Sequence, residues 1–323
     1  MTTEITKIQT IIARELQTLE RLIISNNQSD TKFPNQVCGH LLLSNGKRIR
    51  PMLVILSALA SGYTGNENLH LNLACIIEFM HTATLLHDDV IDKSTQRRHQ
   101  PTVNKIWGNT ASILSGDLLY AKAFKLIAEL QMPGLLAVLS KATEQIVTGE
   151  LEHLQCLRKI TTSKLTYLNI ISAKTAKLFS VATCLGAMLS DSTIYVDALE
   201  EYGHHLGIIF QIMDDILDIN GPKNLGKPSG QDVLEGKPTL PLILAYTHSN
   251  PDDQLLMKKH FINPETTLKD LMPFIKASNA LELARQEAHA ASLLAENCLN
   301  ILPDTSYKQA LYDLLHFALQ RDH

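Results

Sequence analysis

Twice, an apolar helical stretch of this chain runs straight into three aspartates. HTATLLHDDVID brings Asp88, Asp89 and Asp92, and FQIMDDILD brings Asp214, Asp215 and Asp218. Residues four apart share a helix face, so Asp88 and Asp92 stand one above the other, with Asp89 one step round. Carboxylates gathered at the end of a helix repel one another and oppose the macrodipole. A fold that closes two helices this way must supply something cationic at each. No His or Cys stands at ligand spacing, so the partner is a hard cation held by oxygen. Magnesium fits best, because it takes a few carboxylates, keeps several waters and completes its shell with substrate phosphates. A solvated acidic helix end explains one such cluster well and two poorly.

The rest of the chain reads as helix. Glycine and proline number 27 of 323 residues, about 8% against a usual share near 12%. Apolar residues recur three or four apart over 4–24, where Ile5, Ile8, Ile12, Leu16, Leu19 and Ile23 mark an amphipathic helix closed by SNNQSD. Further helices are expected after Pro51 and over about 66–90, 109–130, 134–152, 161–190, 194–219, 239–248, 254–261, 267–276, 279–301 and 305–321. No strand alternation of useful length is present. The expectation is an all-α fold in one domain spanning 1–323, since no linker-like composition separates two halves.

Composition excludes other classes. A chain with 45% hydrophobic and 19% charged residues is globular. A net charge of −4 argues against a generic nucleic-acid partner, whose affinity would come from basic excess. The five cysteines are scattered, odd in number and never in CxxC pairs, so they read as reduced packing residues and the expected location is cytoplasmic. Glu4 and Glu15 interrupt any signal-like core, and no apolar run approaches the length of a transmembrane segment.

Punctuation is concentrated in one place. Eight glycines and prolines fall within 221–241, together with Lys223, Lys227 and Lys237. A long loop of this kind is usually functional or mobile. Arg97 and Arg98 follow the first cluster, and GKRIRP supplies Lys47, Arg48 and Arg50. Arginine grips phosphate through a planar fork and lysine as a point charge. Each basic group alone could be a solvated loop pair or a charged cap. Acids that hold divalent cations, set beside bases that hold anions, together describe a diphosphate site.

In chain order, GKRIRP, DDVID, the RR pair, GDLLYAKAF, AKTA, FQIMDDILD and GKPSGQDVLEGKPTLP resemble the trans-isoprenyl diphosphate synthases, over about Gly46 to Pro241. The resemblance implies a helical bundle around a deep central cavity, a homodimer, and head-to-tail addition of isopentenyl diphosphate to an allylic diphosphate such as farnesyl diphosphate. Matched motif by motif, it implies that Asp88, Asp89, Asp92, Asp214, Asp215 and Asp218 hold magnesium. Of these, Asp88, Asp92 and Asp214, with Lys174 and Arg97, would carry the catalysis. Arg97, Lys174, Thr175 and Gln211 would contact the allylic diphosphate, and Lys227 and Lys237 would close over it. Lys47, Arg50, His81 and Arg98 would bind isopentenyl diphosphate. From the residues alone, His81 reads instead as a buried helix histidine bonded to a neighbour. The family usually has Gly after the arginine pair. Here His99 and Gln100 follow, so a glycine-only backbone is not expected there.

Product length should depend on the wall below the first cluster. Ala83 and Thr84 lie one turn earlier, where a large aromatic stops growth early in this family; both are small here. Met80, Phe79, Tyr120 and Phe124 are the next candidates. A helix of 25 residues is roughly 37 Å long and could flank seven or eight isoprene units, so an octaprenyl product is expected. A geranylgeranyl product is the shorter alternative. A class I terpene cyclase would usually carry an Asn/Ser/Glu pattern in place of DDILD, and a non-catalytic partner subunit would tend to lose its acids or bases.

Overall fold

The computed structural model describes residues 3–44, 46–65, 67–190, 192–221 and 229–321. In chain order it forms α1 (Thr3–Ile11), α2 (Ala13–Asn27), α3 (Lys32–Leu42), α4 (Ile49–Ala60), α5 (Leu69–Ile91), β1 (Gln96–Arg97), β2 (Gln100–Pro101), α6 (Val103–Trp107), α7 (Asn109–Glu129), α8 (Pro133–Cys156) and α9 (Lys164–Ile171). A π-helical turn, Ser172–Ala176, leads into α10 (Lys177–Ala187). Then come α11 (Val196–Asn220), α12 (Gln231–Glu235), α13 (Leu240–Thr247), α14 (Pro251–Ile262), α15 (Leu268–Ala277), α16 (Ala280–Leu299) and α17 (Ser306–Leu319). Among the described residues the all-α expectation holds, with one two-strand hairpin as the exception. Local chemistry sets several starts: Ser163 Oγ accepts the Thr166 N–H at α9, Asn250 Oδ1 accepts the Asp253 N–H at α14, and Thr267 with Asp270 forms a capping box at α15.

These elements make two compact units, each built from separate stretches of chain. The first comprises Met1–Lys141, Leu178–Gly203 and Cys298–Leu314. Its central element is α5, which packs on α2, α3, α4, α6 and α7 and buries fourteen of its residues on several faces. Gly186 of α10 lets that helix approach α4 closely, since a Cβ there would stand 2.4 Å from the Val54 carbonyl oxygen. The second unit comprises Ala142–Lys177, His204–Asn297 and Leu315–His323, and in it α13 packs on α9, α14 and α15.

Two stretches, Leu69–Ile91 and Lys164–Ala187, are long and apolar enough to cross a membrane by length and composition. This corrects the expectation that none would be. The physical reason lies in their surroundings: 72% of each apolar window is buried inside the protein, and a helix buried on all sides is apolar on all sides.

The π turn also has a packing cause. Gly149 of α8 leaves room for it, because a Cβ there would meet the Ala173 Cβ at 2.5 Å. Gly207 of α11 does the same on another side, where a Cβ would lie 2.4 Å from the Ala176 Cα. In an open helix, Gly→Ala gains about 1 kcal/mol of propensity. Here the clash is with backbone, so Gly207→Ala is expected to destabilise by about 1–3 kcal/mol. Urea denaturation checks it, and a stabilised variant would contradict the close approach.

Candidate active site

The first unit positions one acid cluster and a set of arginines. α5 ends as the sequence requires: Asp92 caps it, with its N–H on the Asp88 carbonyl at 2.8 Å. The three acids then separate in role. Asp88 and Asp92 are half-buried, whereas Asp89 is 1% exposed and its Oδ1 accepts the Arg97 ε N–H at 2.8 Å. Asn104 Nδ2 holds the same region by donating to the Asp89 and Ser94 carbonyls. Tyr120 lies close enough to Asp88 that burial, then the Asp88 charge, pushes its phenol up to about 12. His87 bonds to the Ile113 carbonyl and pairs with Asp117, a structural role.

Arg97 and Arg98 sit on the hairpin. Gln96 pairs with Pro101 and Arg97 with Gln100, leaving Arg98 and His99 as the two turn residues. Both are left-handed, at φ 51° and 62°, the geometry of a tight hairpin turn that favours Gly or Asn. This corrects the expectation from His99-Gln100: the glycine-favouring conformation is present although the glycine is not, at a cost of about 1–2 kcal/mol per residue. The turn sends Arg98 across Gly46 to donate to Ser44 Oγ at 2.9 Å. A Cβ on Gly46 would lie 2.7 Å from that guanidinium, which explains the glycine of GKRIRP.

The bases of GKRIRP divide likewise. Arg48, left-handed at φ 52°, turns inward to Glu20 and to the buried Glu78 and donates to the Leu42 carbonyl. It is a structural strut. Arg50 stands over the Phe179 ring at 4.4 Å and donates to His81 Nε2 at 3.1 Å. An arginine can only donate, so that nitrogen is the acceptor and the His81 proton is on Nδ1. Burial first, then the charges of Arg50, Arg98, Arg97 and Arg48, hold His81 well below its ordinary pKa. The structure therefore gathers His81, Arg50, Arg97 and Arg98 in one positive region, with Lys47 half-buried beside Arg48 in the chain. Of the length-setting candidates, Ala83 is fully buried and Thr84 is half-buried, its hydroxyl on the His81 carbonyl.

The second unit positions the other cluster. Its three acids also diverge. Asp214 is 46% exposed and pairs with Arg321 at 2.8 Å, while that guanidinium stacks on Phe210. Asp218 accepts the Gln231 and Asp232 N–H groups and so caps α12. Asp215 is 2% exposed and takes donors from Tyr167, Gln211 and the Leu240 N–H. Burial raises its carboxyl to about 6 even though those donors pull it down. Lys174 and Thr175 ride on the π turn, a geometry often found at functional sites. Thr175 bonds to Gln211 at 2.8 Å, and Lys174 pairs with Glu150 at 2.6 Å. Burial would raise Glu150, but His153, 3.8 Å away, and the Lys174 charge outweigh this and hold it at about 2. Lys237 pairs with Glu235 at 2.5 Å. Lys227 lies outside the described residues, as do its neighbours from 222 to 228.

Several of these groups carry no marking in the sequence. Glu150 and Glu235 each neutralise a lysine expected to bind phosphate, and Tyr167, Asp232 and Arg321 surround the second cluster. Only Glu235 had a local signal, two residues from Lys237. The donor set of both clusters is carboxylate oxygen. Among the described residues, no three His, Cys, Asp or Glu side chains already converge as a cation cage. A cation held here must draw most of its ligands from water and phosphate, which is how magnesium binds.

Comparison with known proteins agrees with this chemistry. A profile of the polyprenyl synthetase family matches residues 31–277. Octaprenyl diphosphate synthase of Escherichia coli K12 is 38% identical over 320 residues, covering 98% of each chain. An all-trans-nonaprenyl-diphosphate synthase of Rhodobacter capsulatus, described as geranyl-diphosphate specific, is 37% identical over 96% of each. Among solved structures, a polyprenyl synthase from Caulobacter crescentus CB15 in complex with calcium and isoprenyl diphosphate superposes with a TM-score of 0.93. It is 35% identical and covers 99% of this chain and 98% of that one.

Proposed function

The chain belongs to the polyprenyl synthetase family and is a prenyltransferase, and from that premise we propose that it condenses isopentenyl diphosphate head-to-tail onto an allylic diphosphate, building an all-trans octaprenyl chain. The observation that carries the reading is the division of labour within each acid cluster. In each, one aspartate is buried, Asp89 against Arg97 and Asp215 against Tyr167, while Asp88 and Asp92 are half-buried and Asp214, though paired with Arg321, is 46% exposed. Accessible carboxylates on ordered helix ends are what a magnesium-diphosphate complex needs.

In this reading Asp88 and Asp92, and likewise Asp214 with Asp218, would hold magnesium that meets the diphosphate of farnesyl or a similar primer. The metal, when bound, neutralises charge on the leaving diphosphate. Arg97, Lys174, Thr175, Gln211, Lys227 and Lys237 hold the same group. Lys174 and Lys237 first leave Glu150 and Glu235. Lys47, Arg50, Arg98 and neutral His81 hold isopentenyl diphosphate, with His81 Nδ1–H as a donor. The C–O bond of the primer breaks to an allylic cation and the isopentenyl double bond attacks it. The new cation then loses a proton to the released diphosphate. The protein's part is to hold the two carbons close and keep water from the cation. The family resemblance further supports a homodimer, and the scattered, unpaired cysteine pattern supports a cytoplasmic location.

Octaprenyl length rests on small Ala83 and Thr84 and on the 38% identity to an octaprenyl diphosphate synthase. α5 has 23 residues, so it is about 34 Å long and could flank about seven or eight isoprene units. The test is to incubate the purified chain with farnesyl diphosphate, isopentenyl diphosphate and magnesium, and to separate the dephosphorylated products by chromatography. The expected result is a ladder ending at octaprenyl and abolished by a chelator. A ladder ending at geranylgeranyl would overturn the length, and no product at all would overturn the catalytic reading.

A further inference from the structure

We infer that Tyr167 is a positioning residue for the allylic diphosphate, acting through Asp215 and Gln211; the inference rests on the reading of Thr175 and Gln211 as contacts to that group. Tyr167 is on α9, 5% exposed, and nothing in the sequence distinguishes it from a packing aromatic. Its hydroxyl nevertheless begins a directed chain of hydrogen bonds. Tyr167 donates to Asp215 Oδ2 at 2.7 Å, and the Leu240 N–H reaches the same oxygen at 3.2 Å. Gln211 Nε2 donates to Asp215 Oδ1 at 2.9 Å, and Thr175 Oγ1 donates to Gln211 Oε1 at 2.8 Å.

Each link fixes the next. A carboxylate can only accept, so Asp215 turns the nitrogen end of the Gln211 amide toward itself. The oxygen end then faces Thr175 and takes its proton. The Gln211 amide thus has one defined orientation, in which its second N–H would donate to a phosphate oxygen. Tyr167 supplies the shorter of the two bonds on Asp215 Oδ2. Without it, only a long backbone contact restrains that oxygen, the carboxylate can rotate, and Gln211 loses its fixed partner. Packing alone does not need this hydroxyl, because a phenylalanine fills the same space.

The test is Tyr167→Phe in the full chain, with wild type, Gln211→Leu and the double variant measured in parallel. Calorimetric binding of farnesyl diphosphate with magnesium, without isopentenyl diphosphate, is the first readout, and steady-state turnover is the second. Tyr167→Phe is expected to raise the dissociation constant and KM for farnesyl diphosphate by about five- to tenfold, the scale of one ordinary hydrogen bond, since Tyr167 acts on the diphosphate only through Asp215 and Gln211. Its kcat should change less than twofold or so, the signature of lost uniform binding. In the Gln211→Leu background the same change should add nothing, because the relay is already cut. Equal effects in both backgrounds, or unchanged binding, would each overturn the positioning role; a modest fall in melting temperature is expected in either case, because the buried Asp215 loses a donor. A wild-type chain that fails to bind farnesyl diphosphate would instead overturn the functional reading.

Discussion

Replacing Asp88 with Asn lowers kcat for the condensation by at least about a hundred- to a thousandfold, the scale seen when one preorganised group facing transition-state charge is removed. Asp88 is half-buried at the last turn of α5, and Asn keeps its size while removing the negative charge a magnesium ion requires. Asp92 and Asp214 should behave alike. Asp89 and Asp215 should differ in kind. Both are buried and bonded to a neighbour, Arg97 or Tyr167, so their loss removes a partner from a group held inside the protein. For them a fall in stability should accompany any fall in rate. Steady-state kinetics and urea denaturation on the five Asp→Asn variants would separate the two classes. Equal loss of rate at all five positions, with equal stability, would contradict the division of labour.

Ala83→Phe should change the product rather than the rate. Ala83 and Thr84 precede Asp88 by five and four residues, about 6–8 Å along the helix. A chain growing from a diphosphate held at Asp88 meets that level after its first units. An aromatic there blocks further growth, so the product should shorten from octaprenyl to farnesyl or geranylgeranyl size. The first condensation should stay within a few-fold of wild type. Ala83 is fully buried, and added bulk costs about 1–3 kcal/mol. Thr84→Phe, at a half-buried position, is the companion variant. Unchanged product length in both would show that these residues do not form the wall.

What the sequence revealed, and what it hid, follows from the range of the interactions. α5 and α7 are legible because each is a long, largely apolar run; α5 begins at Leu69 and ends at Ile91, against an expectation of 66–90. α3 was missed because Pro34 and Gly39 break its pattern, and its helical state depends on packing against α5 and α7. The helix expected over 4–24 breaks at Ile12, and the one expected over 161–190 is interrupted by the π turn. That turn depends on Gly149 and Gly207, each more than twenty residues away in sequence. The acid clusters were legible for the same reason as α5, since spacing and helix sense are local. Which aspartate points outward was not. Asp215 is claimed by Tyr167, 48 residues earlier, and Asp214 by Arg321 at the far end of the chain. The hairpin shows the opposite case: Arg98 and His99 adopt a conformation their identities disfavour, because the strands on either side require it.

On this reading each acid cluster holds divalent ions against substrate diphosphate. Co-crystals with manganese and an unreactive thio analogue of farnesyl diphosphate would test it most directly, with anomalous scattering to locate the metal. The expected map shows metal at Asp88 and Asp92 and metal at Asp214, each in contact with diphosphate, with Arg321 displaced from Asp214. A diphosphate bound away from either cluster, or metal absent from Asp214, would contradict it.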